Sequence, residues 1–597
     1  MRSKSLILIF LIICNFAFAE ELQVLDKITV RRNRDDFSQK SFFADQINDF
    51  SANSAPSDAL NNLPSVDLRS RSQFGIQGDL TLRGSTYEQV AVLIDGIKVM
   101  DPQTGHYNLD IPLTNFDIER LDLAKTATSA LYGAGAMAGS ADFVIKKIEK
   151  EELKLESSVG DYALRGEAFS YSLPHDVISG RISFDHKKAK AARPNTDFEY
   201  KTGTLYLDKR LGSSKLNTLL GWQKKDYGAD SFYSNLFPEE EEHTETLFIK
   251  TGLDSKLQSA TLENNLYLRK HRDKFILRRN NPTSVNYHTT YVYGYNSRLE
   301  LPVRIGKLLF GLDVAENEIN STNLGKHSRM NEAGLAGFAF DYDKLNSEIN
   351  FRLDHYQQWP IQKSFNLGLG YKLMEDKLKL KASVSHSFRI PTFTELYYSD
   401  AANQGDPNLG IEKSYTFTLG ADYRNQPVEM GVEGFLRQGF DLIDWTRVSS
   451  NNIWNATNLG RVDFRGVIFT SKINLESGFQ GLKLKSLNFS YSYNSADRKQ
   501  SGFLSKYALD ILMHQFIFGI KGRILGVDLD WGLSYNKRYY AEDYLVGNIY
   551  LSKKLNLRGF TLEPFVKIDN FTNTKYSEVS GVLEPGRWVQ GGLKFAW

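Results

Sequence analysis

From about residue 152 to the last residue, apolar and polar positions alternate with period two. In Leu487-Asn488-Phe489-Ser490-Tyr491-Ser492-Tyr493-Asn494, Leu, Phe and both Tyr fall on one face, and Asn and Ser on the other. Val527-Asp528-Leu529-Asp530-Trp531-Gly532-Leu533-Ser534-Tyr535-Asn536 and Leu378-Lys379-Leu380-Lys381-Ala382-Ser383-Val384-Ser385 repeat the theme. Strict alternation predicts strands with one apolar and one polar face. Its recurrence without helical segments between predicts an all-β protein. Two architectures alternate in this way: a soluble sandwich or solenoid, and a transmembrane barrel that turns its apolar face to lipid and its polar face to a wet lumen. At about twenty residues per strand and connection, the region holds about 22 antiparallel strands, a size that carries a plugged lumen. The last stretch, Val589-Gln590-Gly591-Gly592-Leu593-Lys594-Phe595-Ala596-Trp597, alternates to its end on an aromatic.

Residues 36–150 have a different texture. Gln89-Val90-Ala91-Val92-Leu93-Ile94 is a nearly continuous apolar run, which suits a strand buried on both faces. Asp95-Gly96 then predicts a tight hairpin turn, with Ile97-Lys98-Val99 returning. Ser57-Asp58-Ala59-Leu60-Asn61-Asn62-Leu63 before Pro64 predicts a short capped helix ended by proline. The region is a small α+β globule, too polar to span lipid, and the space inside a wide barrel is the place for it.

The first residues favour the barrel over the soluble alternatives. Met1-Arg2-Ser3-Lys4 is basic, residues 6–18 are almost wholly apolar, and Ala17-Phe18-Ala19 fits a small-x-small cleavage site, so residues 1–19 are expected to be a signal peptide. The apolar stretch falls short of the ~20 residues that a spanning helix needs. Ile13 is too large for a lipoprotein site at Cys14, the one cysteine in the chain. The mature chain therefore has neither disulfides nor thiolate metal sites. Without Arg2 and Lys4, the 73 basic residues become 71 against 71 acidic ones, a neutral balance that gives no support to nucleic-acid binding. Aromatics make up 13% of the chain, and many sit near strand ends, where membrane girdles need them. Residues 20–35 hold Asp26-Lys27-Ile28-Thr29-Val30-Arg31, a strand-like segment with no turn to fold it back on a neighbour. Gly-x-Ser-x-Gly and His-Glu-x-x-His do not occur in the sequence, so it shows no hydrolase signature.

Several motifs together resemble the TonB-dependent outer-membrane receptors. Leu80-Thr81-Leu82-Arg83-Gly84, Val92-Leu93-Ile94-Asp95-Gly96, Ile118-Glu119-Arg120-Leu121-Asp122 and Ser129-Ala130-Leu131-Tyr132-Gly133 are similar to the plug signature of that family. Ser387-Phe388-Arg389-Ile390-Pro391-Thr392-Phe393-Thr394-Glu395-Leu396, Asp406-Pro407-Asn408-Leu409 and Glu412-Lys413-Ser414 resemble a strand-loop pair of its barrel. Lys567-Ile568-Asp569-Asn570-Phe571, Lys575-Tyr576 and Pro585-Gly586-Arg587 resemble its closing strands. Two places depart from the family pattern: Ala124-Lys125-Thr126 stands where Arg-Gly-Pro is usual, and Gly139-Ser140-Ala141-Asp142-Phe143-Val144-Ile145 replaces the usual Gly-Val-Ile-Asn strand.

The resemblance implies an all-β transmembrane barrel of about 22 strands (residues 151–597) with an N-terminal α+β plug domain (residues 36–150) inside the lumen. It also implies active transport, not catalysis, across the outer membrane of a Gram-negative bacterium. TonB and its inner-membrane partners would supply the energy by grasping the Ton box, residues Asp26, Lys27, Ile28, Thr29, Val30 and Arg31, through β-augmentation. The chain is most similar to the cobalamin-receptor branch, which implies a corrinoid ligand. A ferric-siderophore receptor is the alternative, and a passive porin would have no use for residues 26–150. The family's heme receptors place a histidine between Pro391 and Asp406, and this chain has none there. Plug-apex contacts to ligand are expected from Phe74, Gln77, His106, Tyr107 and Asn108, with His106 either meeting a ligand metal or, as a loop histidine, bonding to backbone. Asn195, Asp197, Glu199, Asp226 and Asp230 offer hard oxygens of the kind calcium takes, and cobalamin receptors hold loop calcium of this kind; a solvated acidic loop is the other reading. No cofactor is required. Outer-membrane lipid and lipopolysaccharide are expected to surround a monomer.

Overall fold

The computed structural model describes residues 39–43 and 54–597, apart from 62, 234, 235, 451, 476, 477, 480, 499–501, 508 and 509. The expected signal peptide, the N-terminal extension and its Ton box lie outside the described residues.

Alternation builds the barrel. The described residues from Glu152 onward form a closed barrel of 22 antiparallel strands. Its last strand, Trp588–Ala596, pairs with its first, Glu152–Gly160, from Gln590 opposite Gly160 to Ala596 opposite Lys154. Closure leaves no strand edge open to another chain. In Leu482–Arg498 the small polar residues Ser490, Ser492 and Asn494 are buried toward the lumen, whereas Phe489 is 37% exposed on the outer wall. Leu312, Leu353, Leu419, Val432 and Val467 are exposed on the same outer surface. Their burial comes from lipid instead of protein. Among the described residues no helix is long and apolar enough to cross a membrane, so the strands make the crossing.

The two ends of the barrel differ. At one end the strands join through turns as short as residues 212–213, 258–259 and 343–344, and at the other they join through loops as long as 229–240, 390–411 and 570–587. Short turns mark the periplasmic end and long loops the extracellular one.

The plug is a separate texture, as the sequence predicts. Five strands lie in the order Gln39–Phe43, Ile118–Ala124, Gly139–Ile145, Val90–Ile94, Ile97–Lys98, with Val90–Ile94 and Gly139–Ile145 parallel and the other neighbours antiparallel. Val90–Ile94 is buried on both faces. Asp95 and Gly96 both take positive φ, 50° and 79°, the geometry of a type I′ hairpin turn. Gly139 has φ 148°, and a Cβ there would lie 2.0 Å from the Ala124 carbonyl oxygen, so only glycine lets the neighbouring plug strand approach. Val66–Ser70 and Gly78–Leu82 form a second, two-stranded sheet. The helix expected over residues 57–63 is instead a single 3-10 turn, Pro56–Leu60. Asp58 caps its start, accepting from the Ala55 amide at 2.9 Å, and the chain leaves the turn at Asn61, whose ψ is 144° and whose N–H donates to the Asp58 carbonyl at 3.1 Å.

Candidate functional site: the plug apex and the plug–barrel seam

The plug interior is apolar. Leu60, Leu82, Val90, Val92, Ile94, Leu121, Leu123, Ala141 and Phe143 pack together and lean on Tyr206, Leu219 and Phe248 of the barrel wall. The seam around that core has another chemistry. Five plug aspartates meet five basic residues that point inward from barrel strands: Asp117 with Arg181 at 3.0 Å, Asp110 with Lys225 at 2.7 Å, Asp101 with Arg269 at 2.5 Å, Asp67 with Arg538 at 2.5 Å, and Asp95 with Lys250. Other pairs run the opposite way, from plug Arg83 to barrel Glu433, plug Arg69 to Asp510 at 3.5 Å and plug Lys146 to Glu152 at 3.1 Å. Asp117 is the most enclosed of these acids; Ser183 Oγ and Thr204 Oγ1 of the barrel also donate to it, at 3.0 and 2.9 Å. Strand geometry places the bases: in Ser214–Gly228 and Ala260–Ile276 every second residue faces the lumen, which puts Lys225 and Arg269 inward.

The apex is a chain of tyrosines and ionisable groups. His106 Nδ1 lies 2.8 Å from Asp79 Oδ1, and Asp79 Oδ2 lies 2.8 Å from Arg71 Nη2. The His106 Nε2 is 3.1 Å from the Tyr87 hydroxyl, and the two rings stack with centroids 4.5 Å apart. Tyr507 and Tyr233 close edge-on against His106 from two extracellular loops. Burial alone would raise the Asp79 carboxyl, but Arg71 and then His106 outweigh it and hold the group well below the usual range. An ionised Asp79 accepts from Nδ1–H, and Nε2 is within hydrogen-bond distance of the Tyr87 hydroxyl. Both ring nitrogens of His106 are therefore engaged within the protein, and its partners are side chains.

The other expected ligand contacts are buried too. The Tyr107 hydroxyl lies within hydrogen-bond distance of both Asp273, at 2.8 Å, and Glu242. Gln77 Nε2 donates to the Tyr233 hydroxyl at 2.5 Å. Asn108 Oδ1 accepts from the Asp101 amide at 2.9 Å. Phe74 sits between Phe198 and Trp588, 5.5 and 5.7 Å between centroids. The structure gathers Gln77 and His106 around Tyr233, sets Tyr107 and Phe74 against different parts of the wall, and keeps Asn108 within the plug on the Asp101 amide.

Sequence reasoning did not find the acids that surround this apex. Burial, then the neighbouring Glu395, pushes Glu88 of the plug up to about 8, with Arg389 opposing. Burial pushes Glu240 to about 8 and Glu578 to about 7, and it raises Glu584 as well. Burial disfavours the charged form of each of them, and Glu240 and Glu578 accept from the Tyr233 and Ser70 amides at 3.2 and 2.7 Å. Their spacing in the sequence carries no signal, because they come from the plug and from two separate loops.

The strand-loop motif singled out in the sequence ties the extracellular side to the plug. Arg389 forks to both oxygens of Glu395, at 2.8 and 2.9 Å, and reaches Glu412 at 2.5 Å. Gln89 of the plug donates to Glu412 at 2.9 Å. Thr392 caps the short helix Phe393–Tyr397, whose Phe393 and Thr394 amides donate to the Pro102 and Gln103 carbonyls of the plug at 2.9 and 3.0 Å.

The five residues considered for calcium are spread over several ion pairs. Asp197 takes Arg279 in a bidentate pair at 2.6 and 2.9 Å, and Asp230 takes Arg193 at 2.6 Å. Glu199 takes His186, Lys188 and Lys201; Asp226 takes His243 and Lys224. Asn195 donates to the carbonyls of Pro238 and Glu240. Among the described residues no group of three or more His, Cys, Asp or Glu is placed to hold a metal ion.

A closed barrel corked by a small domain, with a polar seam between them, defines a gated outer-membrane receptor. Comparison with known proteins gives the family. Residues 156–570 match "TonB dependent receptor-like, beta-barrel", and residues 35–140 match "TonB-dependent Receptor Plug Domain". The chain belongs to the TonB-dependent receptor family, a class of outer-membrane transporters and receptors that act with TonB on small-molecule substrates. It is 23% identical over 489 residues, 76% of each chain, to the Vitamin B12 transporter BtuB of Vibrio vulnificus (strain YJ016). Among solved structures it is similar to the FrpB iron transporter from Neisseria meningitidis (F3-3 variant), with TM-score 0.77 and 12% identity, covering 94% of this chain and 99% of that one. It is also similar to the siderophore receptor PirA from Acinetobacter baumannii, with TM-score 0.75 and 14% identity, covering 94% and 98%.

Proposed function

We propose that this receptor takes up a corrinoid. The observation that carries this reading is the chemistry of the apex: tyrosines and buried carboxyls, with Arg71 and Arg193 already paired to Asp79 and Asp230. A ferric catecholate carries net negative charge and needs free cations; a large, polar, nearly neutral ligand needs aromatic surface and hydrogen-bond donors. The vitamin B12 transporters among its relatives, similar over three quarters of both chains, support the same ligand class. The siderophore alternative draws on solved structures that share the fold. Equilibrium binding of cyanocobalamin and of a ferric catecholate to the purified full chain, side by side, tests the choice. Tight binding of cyanocobalamin alone is expected; tight binding of the chelate alone replaces this reading with the alternative.

TonB is proposed to engage Asp26, Lys27, Ile28, Thr29, Val30 and Arg31 as an added strand. Proline at position 28 would remove a main-chain donor and fix φ near −65°. Ile28→Pro should therefore abolish energised uptake and leave ligand affinity unchanged, while Ile28→Val should be nearly silent. Normal uptake by the proline variant would place the TonB contact elsewhere.

A further inference from the structure

Three extracellular segments meet in a shelf beside the plug apex. Leu504 and Ser505 pair antiparallel with Arg447 and Thr446 at the end of Val428–Arg447, and Asn403–Gln404 runs parallel to Trp454 and Asn455 on the next strand. The buried Asp444 fastens the corner, accepting from the Tyr507 amide at 3.1 Å and from Ser505 Oγ. The Lys506 amide donates to the Trp445 carbonyl at 3.0 Å. These bonds order the shelf in the free protein, which lowers the cost of binding there. Tyr507 joins the shelf to the apex: its ring stands edge-on to Tyr87 and His106 of the plug, 5.7 and 6.2 Å between centroids.

The shelf carries two cations on aromatic faces. The Arg447 guanidinium lies 4.2 Å from the Trp454 ring centroid. Lys506 Nζ lies 5.9 Å from the same centroid and 5.3 Å from that of Tyr507. All four side chains are half-buried. Arg447 Nη1 donates to the Ser450 carbonyl at 3.1 Å, and its Nε is enclosed without an acceptor. Among the described residues Lys506 Nζ has no hydrogen-bond acceptor, and neither cation has a carboxylate partner. A ring face attracts a cation but leaves its N–H groups free to donate. Phosphate oxygens take such donors in charge-assisted hydrogen bonds, and one phosphodiester charge asks for no more than these two cations.

We propose that this shelf is a phosphodiester subsite, where Arg447 and Lys506 hold the phosphate in the nucleotide tail of a corrinoid whose ring rests on the apex tyrosines. The proposal builds on the corrinoid reading and names the part of the ligand that the rim distinguishes. Cobinamide keeps the corrin ring and lacks the phosphodiester and its base, so it serves as the contrasting probe. The test is equilibrium binding of cyanocobalamin and of dicyanocobinamide to the purified full chain in neutral detergent. Wild type should hold cyanocobalamin more tightly. Arg447→Gln/Lys506→Gln should lose on the order of 100-fold for cyanocobalamin, at about tenfold for each charge-assisted bond, and should bind cobinamide as wild type does. A shelf that had merely lost its order would weaken both ligands alike. The single variants, each expected to lose about tenfold for cyanocobalamin alone, serve if the double variant fails to fold. Equal wild-type affinity for the two corrinoids, equal losses for both, or unchanged cyanocobalamin affinity in the variants would overturn the subsite and leave the corrinoid reading standing. Failure of wild type to bind either corrinoid would overturn both.

Discussion

The interior of the plug and its seam with the barrel are both buried, and they are held by opposite means. Inside, Leu93, Ile94, Leu121, Leu123 and Phe143 are fully buried among apolar neighbours. Separating them would return apolar surface to water at about 25 cal/mol per Å². At the seam, Asp117–Arg181, Asp110–Lys225 and Asp101–Arg269 are enclosed ion pairs. A buried pair repays the desolvation of its charges only about evenly, so exchanging it for hydrated ions costs little overall, whereas removing one partner strands the other. The plug is thus bound by contacts that are specific in register and inexpensive to part when water enters. That suits a cork which must stay seated against leakage and still yield to a pull from the periplasm.

The largest effect should come from removing one side of the comparison. Deletion of residues 36–150 should leave a folded barrel that conducts ions in a planar bilayer, where the full chain stays closed. A silent plugless barrel would mean that the wall closes by itself.

A smaller loss sharpens the seam. Arg181→Met leaves the Asp117 carboxylate enclosed without its cation and should weaken plug seating by about 3–5 kcal/mol. Its readout is the urea concentration at which current through the bilayer-reconstituted protein begins. Asp117→Asn/Arg181→Met should recover most of that loss, because no charge is left alone. A double variant as leaky as the single one would show that the pair is worth more than its desolvation.

The smallest expected effect is a pH slope. Glu88 has its folded value raised from 4.5 to about 8 by burial. Below pH 4.5 the group is protonated whether the plug is folded or not. Between 4.5 and 8 the unfolded chain releases a proton that the folded one keeps, so stability falls as pH rises through this window. Glu88→Gln, which mimics the protonated form, should match wild type near pH 4.5 and melt higher at pH 8.5. Parallel melting curves for the two proteins across that range would remove Glu88 from the account.

The sequence shows one of these two regions far better than the other. Period-two alternation foretold the barrel strands, and the run Val90–Ile94 with Asp95-Gly96 foretold the plug's central hairpin, because both patterns are local. The seam was not legible: Arg181 and Asp117 are separated by 64 residues, and nothing near either names its partner. Single basic residues at lumen-facing positions, such as Lys225 and Arg269, were the available hint. Of the acidic residues at 197, 199, 226 and 230, Glu199 and Asp226 meet Lys188 and His243 across the sheet in register, whereas Asp197 and Asp230 meet Arg279 and Arg193 between loops.

The most direct test of the seam account is a pair of disulfide staples, made without background because Cys14, in the expected leader, is the one cysteine of the chain. Asp117→Cys/Ser183→Cys would join plug to barrel where the two native side chains meet at 3.0 Å. Asp122→Cys/Asp142→Cys would join two plug strands at directly opposed positions. The measurement is energised uptake of the ligand returned by the binding assay, before and after reduction. The account predicts that the seam staple blocks uptake until it is reduced, while the staple within the plug leaves uptake unchanged. Block by the inner staple, with uptake restored on reduction, would show that the plug core itself must come apart and would contradict the account.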